Sequence, residues 1–128
     1  MSRIEASEVM VAKVVGEVAL SGVIPKKISS EILGLSIEDE AVLLFESAVD
    51  WLSSESVITV HTQYKGEVSN IYTATLTSYG FALLSQNFGD GLKLGTALQK
   101  VRSTGHGFSG LGEFLGGVLC GFTKTLSN

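Results

Sequence analysis

The sequence predicts an α+β protein with a helix-and-hairpin body and a C-terminal glycine-rich helical tail, and three observations support this. Residues 45–84 read in order as helix, strand, turn, strand and helix, because the apolar period changes from 3.6 to 2 and back. Hydrophobic residues make up 45% of the 128 positions and charged residues only 17%, with a single proline. A chain of this size buries roughly two-thirds of its unfolded surface, enough for a core without staples. Charge and glycine, finally, divide the chain unevenly. Residues 1–92 hold twelve acids against five bases, a balance of -7, whereas residues 93–128 hold Lys93, Lys100, Arg102 and Lys124 against Glu113, a balance of +3. Ten of the fifteen glycines lie between Gly89 and Gly121. The expected division is a body at residues 1–87 and a tail at 88–128, packed on the body or on a partner chain.

In the body, Ser7 is placed to cap a first helix in which Met10 or Val11, Val14, Val15 and Val18 recur at helical spacing, opposite Glu8, Lys13 and Glu17. β-Branched residues lose χ1 freedom in a helix, so packing has to hold this one. Ser21-Gly22 ends it, and Val23-Ile24-Pro25 is extended because the residue before proline is pushed out of the α region. A short helix is expected over residues 26–33, stopped by Gly34 and burying Ile28, Ile32 and Leu33. Ser36 with Asp39 forms a capping-box-like start for the longest helix, and Glu38, Asp39 and Glu40 suit its positive first turn. Along that helix Ala41, Leu44, Phe45, Ala48 and Leu52 make an inner face, widened by Val49 and Trp51. Asp39, Glu46 and Asp50 fall opposite, with Leu43 among them, so the exposed face is expected to be acidic and Trp51 to be core.

The hairpin follows. Ile58 and Val60 alternate with Thr59 and His61, and Tyr72, Ala74 and Leu76 alternate with Ile71, Thr73 and Thr75. The connection at residues 62–70 is expected to be a flexible wing carrying Tyr64, Lys65, Gly66 and Glu67. Thr77 caps the next helix, whose Phe81, Leu84 and Phe88 face inward. A helix feeding a hairpin whose second strand enters another helix is the order of a winged-helix core. Residues 48–84, about a third of the chain, open with the motif Ala48-Val49-Asp50-Trp51-Leu52-Ser53-Ser54-Glu55-Ser56-Val57-Ile58 and close with Leu76-Thr77-Ser78-Tyr79-Gly80-Phe81-Ala82-Leu83-Leu84. They resemble small bacterial proteins of unassigned function with a winged-helix core, which show a Trp-Leu helix end, an isoleucine strand and a Leu-Thr-x-x-Gly helix start. The resemblance implies a fold and carries no active site.

In the tail, Phe88, Leu92, Leu94, Ala97, Leu98 and Val101 make one helical pattern. Phe108, Leu111, Phe114, Leu115, Val118, Leu119 and Phe122 make a second, interleaved with glycines that each weaken an isolated helix by up to ~1 kcal/mol relative to alanine. Close approach to another helix is the expected compensation. The second stripe is too short and interrupted to span a bilayer, so it packs or lies flat. It is expected to contact a second copy through its small-residue face, or an anionic membrane surface with help from Lys93, Lys100, Arg102 and Lys124.

The residues exclude more chemistry than they suggest. One cysteine, Cys120, forbids an internal disulfide and, with only His61 and His106, argues against zinc. A reducing, cytoplasmic setting is expected, since Glu5, Glu8, Lys13 and Glu17 interrupt every N-terminal apolar run. His61 beside Thr59 and Thr62 reads as a polar strand face, and Cys120 as a small buried hydrophobe. The Gly-x-Gly-x-x-Gly spacing at Gly105, Gly107 and Gly110 lacks a preceding strand, so it fails as a dinucleotide loop. No catalytic, cofactor or metal residue is assigned, and no enzyme is expected. A winged helix suggests DNA binding, yet residues 37–53 contain no base and many acids. The expectation is a protein-interaction or self-assembly module, working as a homo-oligomer or with a protein partner. The alternatives are a transcriptional regulator touching DNA through Lys26, Lys27 and Lys65, and a peripheral membrane protein acting through its tail.

Overall fold

The computed structural model of the chain describes residues 3–85, Thr96 and Gln99. Within that range the element order is α1 (Arg3–Leu20), β1 (Lys26–Ile28), α2 (Asp39–Ser54), β2 (Ile58–Lys65), β3 (Asn70–Leu76) and α3 (Ser78–Leu84), an α+β arrangement. The strands form one antiparallel sheet in the order β1-β3-β2. β3 is therefore central, with Lys26↔Ala74 and Ile28↔Tyr72 on one side and Ile58↔Leu76 and Val60↔Ala74 on the other. Because strand side chains alternate, Tyr72, Ala74 and Leu76 share one face, and all three are buried.

That face carries the helices. Met10, Val14, Val15 and Val18 of α1 join Phe45, Ala48, Val49 and Leu52 of α2 and the inner residues of the sheet in one cluster. Phe45 meets Tyr72 with ring centroids 6.0 Å apart and the planes tilted by 57°. Each large apolar side chain fully buried here contributes about 1.5–3 kcal/mol. This is how a helix as rich in valine as α1 is held: packing supplies what propensity does not. The expected stripe of Met10, Val14, Val15 and Val18 is in the core, whereas Ser7 lies inside α1, which extends back to Arg3.

Several expected elements are redrawn. The helix expected over residues 26–33 is instead strand β1 followed by one helical turn. Lys26, Lys27 and Ile28 gain ladder bonds along β3, which a three-residue start on a helix does not match. The turn closes as a Schellman motif, with Leu35 N–H donating to Ser30 O (2.9 Å) and Gly34 N–H to Glu31 O (3.0 Å). Gly34 adopts φ +68° there, so it stops the turn as expected. Ile28 is buried and Leu33 half-buried, but Ile32 is exposed. Ser36 sits two residues before the N-cap of α2, Glu38; its hydroxyl accepts from Glu38 N–H (3.2 Å), and Glu38 itself makes no side-chain cap bond.

The wing is shorter than expected. β2 continues to Lys65 and β3 begins at Asn70, leaving residues 66–69 as the connection, closed by Gly66 N–H to Ser69 O (3.1 Å). A β-bulge separates Val60↔Ala74 from Thr62↔Thr73, with His61 as the extra residue. Behind the loop, Ser30 N–H donates to Ser69 Oγ (2.9 Å), tying the β1 exit to the hairpin through a buried bond.

The Leu-Thr-x-x-Gly start of α3 is explained by its contacts. Thr77 Oγ1 accepts from Gly80 N–H (2.9 Å), the cap expected from sequence, and donates to the carbonyls of Ser56 and Val57. A Cβ on Gly80 would fall well inside contact distance of the Val57 carbonyl oxygen. Glycine is thus what lets the first turn of α3 lie against the α2–β2 junction. On α3 itself Gly80 and Leu83 are buried and Leu84 is half-buried, while Phe81 turns outward at 41% exposure, contrary to expectation. Helix α3 begins at Ser78, a phase that aims Tyr79, Gly80 and Leu83 at the body.

Thr96 and Gln99 are both helical. The Gln99 side-chain amide donates to the Gly16 carbonyl on α1 (2.9 Å), so at this position the tail touches the body. The remaining tail residues, including the division expected at residue 88, lie outside the described residues.

Candidate interaction surface

Helix α2 is fixed at both ends and so presents a defined outer face. Asp39 and Glu40 occupy its first turn, where the positive end of the helix dipole favours carboxylates. Its exit is a second Schellman motif, Val57 N–H to Leu52 O (3.0 Å) and Ser56 N–H to Ser53 O (3.1 Å). Ser56 takes φ 62° there, the one positive φ at a non-glycine position among the described residues. Anchored this way, α2 turns Phe45, Ala48, Val49 and Leu52 to the sheet.

At 100° per residue, Glu40, Leu43, Ser47, Asp50, Trp51 and Ser54 fall within one arc on the other side, and all six are exposed. Leu43 is 65% exposed and Trp51 38%, and Ile37 just before the helix is 72% exposed. The expected burial of Trp51 is therefore corrected. Its place two turns beyond Leu43 sets its direction, and its neighbour Leu52 alone enters the core.

An open groove of about 350 Å³ continues from this face toward the hairpin loop, lined by Ile37, Asp39, Val42, Leu43, Glu67 and Val68. Glu46 borders it and is also redrawn. Instead of standing on an open acidic face it is half-buried, with Oε2 accepting from Asn70 N–H (2.7 Å) and so starting β3. The Tyr72 phenol nearby is raised above its ordinary pKa, chiefly by burial; the Asn70 hydrogen bond opposes this, and Glu46 and Asp50 add to it. Burial likewise raises the Tyr79 phenol, with Glu55 adding to it.

The three lysines named as DNA contacts do not form one patch. Lys26 turns to the helix side, its Nζ 3.6 Å from Glu17 on α1. Lys27 is on the opposite face of the sheet, its Nζ 5.8 Å from the Tyr64 ring centroid. Lys65 is exposed at the end of β2, paired in register with Asn70. His61 Nε2 is 2.8 Å from Thr75 Oγ1 across the ladder, in an exposed contact between strands. Among the described residues no group of three or more His, Cys, Asp or Glu side chains is placed to hold a metal, and no helix is long and apolar enough to cross a membrane. His106, Cys120, the Gly105–Gly107–Gly110 spacing and the stripe of Phe108, Leu111, Phe114, Leu115, Val118, Leu119 and Phe122 lie outside the described residues.

Leu43 is expected on the outer face from the sequence; what the sequence left unrecognised is Trp51 beside it. Leu43, Ser47 and Trp51 follow at i, i+4 and i+8, which is enough to place them together. Compared with protein-family models, curated proteins and solved structures, the chain matches none.

Proposed function

We propose that the chain is a non-enzymatic protein-interaction or self-assembly module of winged-helix type, and that the outer face of α2 is its contact surface. Support for the fold type comes from the β1-β3-β2 order and from α2 standing immediately before the hairpin. The observation that carries the function is the composition of that face. Leu43 and Trp51 are exposed beside Glu40 and Asp50 on a helix with no lysine or arginine. Exposed apolar side chains gain free energy when a partner covers them, whereas a run of carboxylates is repelled by phosphate.

The second reading is a transcriptional regulator, favoured by the same element order, since the corresponding helix of a helix-turn-helix reader enters the major groove. Its weakness is charge. Lys26 is engaged by Glu17, and among the described residues Lys27 and Lys65 are all that the hairpin side adds. Self-association through the tail stripe remains part of the first reading.

A photoreactive residue in place of Ser47, activated in cells, tests the two. Adducts removed by protease and resistant to nuclease are the expected result. Adducts sensitive only to nuclease would promote the regulator, and no adduct at all would remove α2 as a contact surface.

A further inference from the structure

We propose that the outer face of α2 docks on the open face of the sheet in a second copy of the chain, Trp51 against the Tyr64–Ile71 pair and Asp50 toward Lys27. This rests on α2 being the contact surface and names what that surface contacts.

Among the described residues the helices cover one side of the sheet. Tyr72, Ala74 and Leu76 of β3 are buried against them, whereas Ile71, Thr73 and Thr75, which alternate with these, face the other way, and none of the three is buried. Tyr64 stands opposite Ile71 in the β2–β3 ladder, so it shares the open face, where it is 46% exposed. Lys27 stands opposite Thr73 on that face, and its Nζ reaches across β3 to 5.8 Å from the Tyr64 ring centroid. The result is an apolar pair with a cation at its edge. On α2 the arrangement is the converse, with Leu43 and Trp51 exposed and the carboxylate of Asp50 next to them.

Charge divides by element in the same sense. The three strands contain three lysines and no acid, and α2 contains acids and no base. Contact of α2 with α2 brings two base-free helices together, and contact of sheet with sheet brings lysine to lysine. Only the unlike faces join opposite charges. Dimensions agree as well. Leu43 and Trp51 are two turns apart, about 12 Å along the axis, and three strands are about 10 Å across. A helix laid on a sheet face is also the packing that already makes the core.

Both halves of the contact belong to one chain, so the occupant is assigned to a second copy. Because α2 packs its inner side on the inner side of the sheet, the two docking faces point in opposite directions. The contact is therefore heterologous, and each copy can use both faces at once.

Sedimentation of the full chain over a range of concentrations tests this. The expected result is an average mass that rises with concentration, accompanied by a blue shift of Trp51, the single tryptophan, and reduced by added salt. Leu43→Ser/Trp51→Ser removes the helix face and Lys27→Glu/Tyr64→Thr the sheet face, all four positions being exposed. Each double variant should lower the association constant about tenfold or more, in the range of interface hot spots. Their equimolar mixture should associate again as a dimer, since each supplies the face that the other lacks. Only the sheet variant retains Trp51, so a blue shift on mixing reports its α2 being covered. Circular dichroism confirms that each variant is folded. The proposal is overturned if the parent chain stays monomeric, if either variant associates like the parent, or if the mixture stays monomeric. Adducts at position 47 to a different protein, from a chain that stays monomeric, would retain α2 as a contact surface and reject only the second copy.

Discussion

The two faces of α2 carry residues of the same kind in opposite surroundings. Phe45, Val49 and Leu52 are at most 1% exposed, whereas Leu43, about half a turn of the wheel away, is 65% exposed and Trp51 38%. Nothing in the identity of a leucine or tryptophan decides this. The decision comes from the anchoring of α2, by its Schellman exit at Ser56 and by the Glu46–Asn70 bond, which together aim one arc at Tyr72 and leave the other in water. The inner residues hold the fold, and Leu43 and Trp51 take no comparable part in it.

The largest effect expected from this contrast is on the inner face. Phe45→Ala removes a fully buried ring packed on Tyr72 and should cost about 3–5 kcal/mol in urea unfolding. If it unfolds like the parent, the inner face is not the core. Next comes the junction at which α2 hands over to the sheet. Gly80→Ala drives a Cβ into the Val57 carbonyl, and even after the gain in helix propensity it should cost about 1–3 kcal/mol, as overpacking does. An unchanged denaturation midpoint would mean that α3 does not lie against Val57.

A smaller effect depends on pH. Tyr72 and Tyr79 have phenols raised by burial, so the folded state favours their neutral forms. Unfolded tyrosine ionises near pH ~10, so this contribution is complete below about pH 10 and is lost as pH rises through the higher folded values. Tyr72→Phe should flatten the alkaline fall in stability, measured as the difference in unfolding midpoint between about pH 9 and about pH 11. An identical fall in the variant would mean that Tyr72 ionises freely in the fold. The smallest effects belong to the outer face. Leu43→Ser should change stability by no more than about 0.5 kcal/mol and Trp51→Ala by about 1 kcal/mol or less. A loss of several kcal/mol at either position would make the two faces alike.

How much of this was legible follows from which side chains had one buried face. The helical phase of Met10, Val14 and Val18 and the alternation of Tyr72, Ala74 and Leu76 were readable because each has the sheet or helix layer on a single side. β1 was not, since Lys26-Lys27-Ile28 has no alternation of its own and becomes a strand only by pairing with a segment more than forty residues on. The outer half of β2 was not either. From His61 to Lys65 every residue is exposed, so the period-2 signal on which strand assignment rests is absent. The cap at Thr77 was visible as a motif, but the need for glycine at position 80 came from Val57, in another element. At the candidate surface the acids and Leu43 were legible and Trp51 was not, although the i, i+4, i+8 spacing of Leu43, Ser47 and Trp51 contained it.

The division of α2 into a core face and an open face is tested most directly by acrylamide quenching of Trp51 in the dilute full-length chain. With Trp51 as the only tryptophan, the signal has a single source. An exposed Trp51 gives red-shifted emission that acrylamide quenches readily in the native state. Blue-shifted emission shielded from acrylamide until urea unfolds the protein would contradict the division, because Trp51 would then belong to the core.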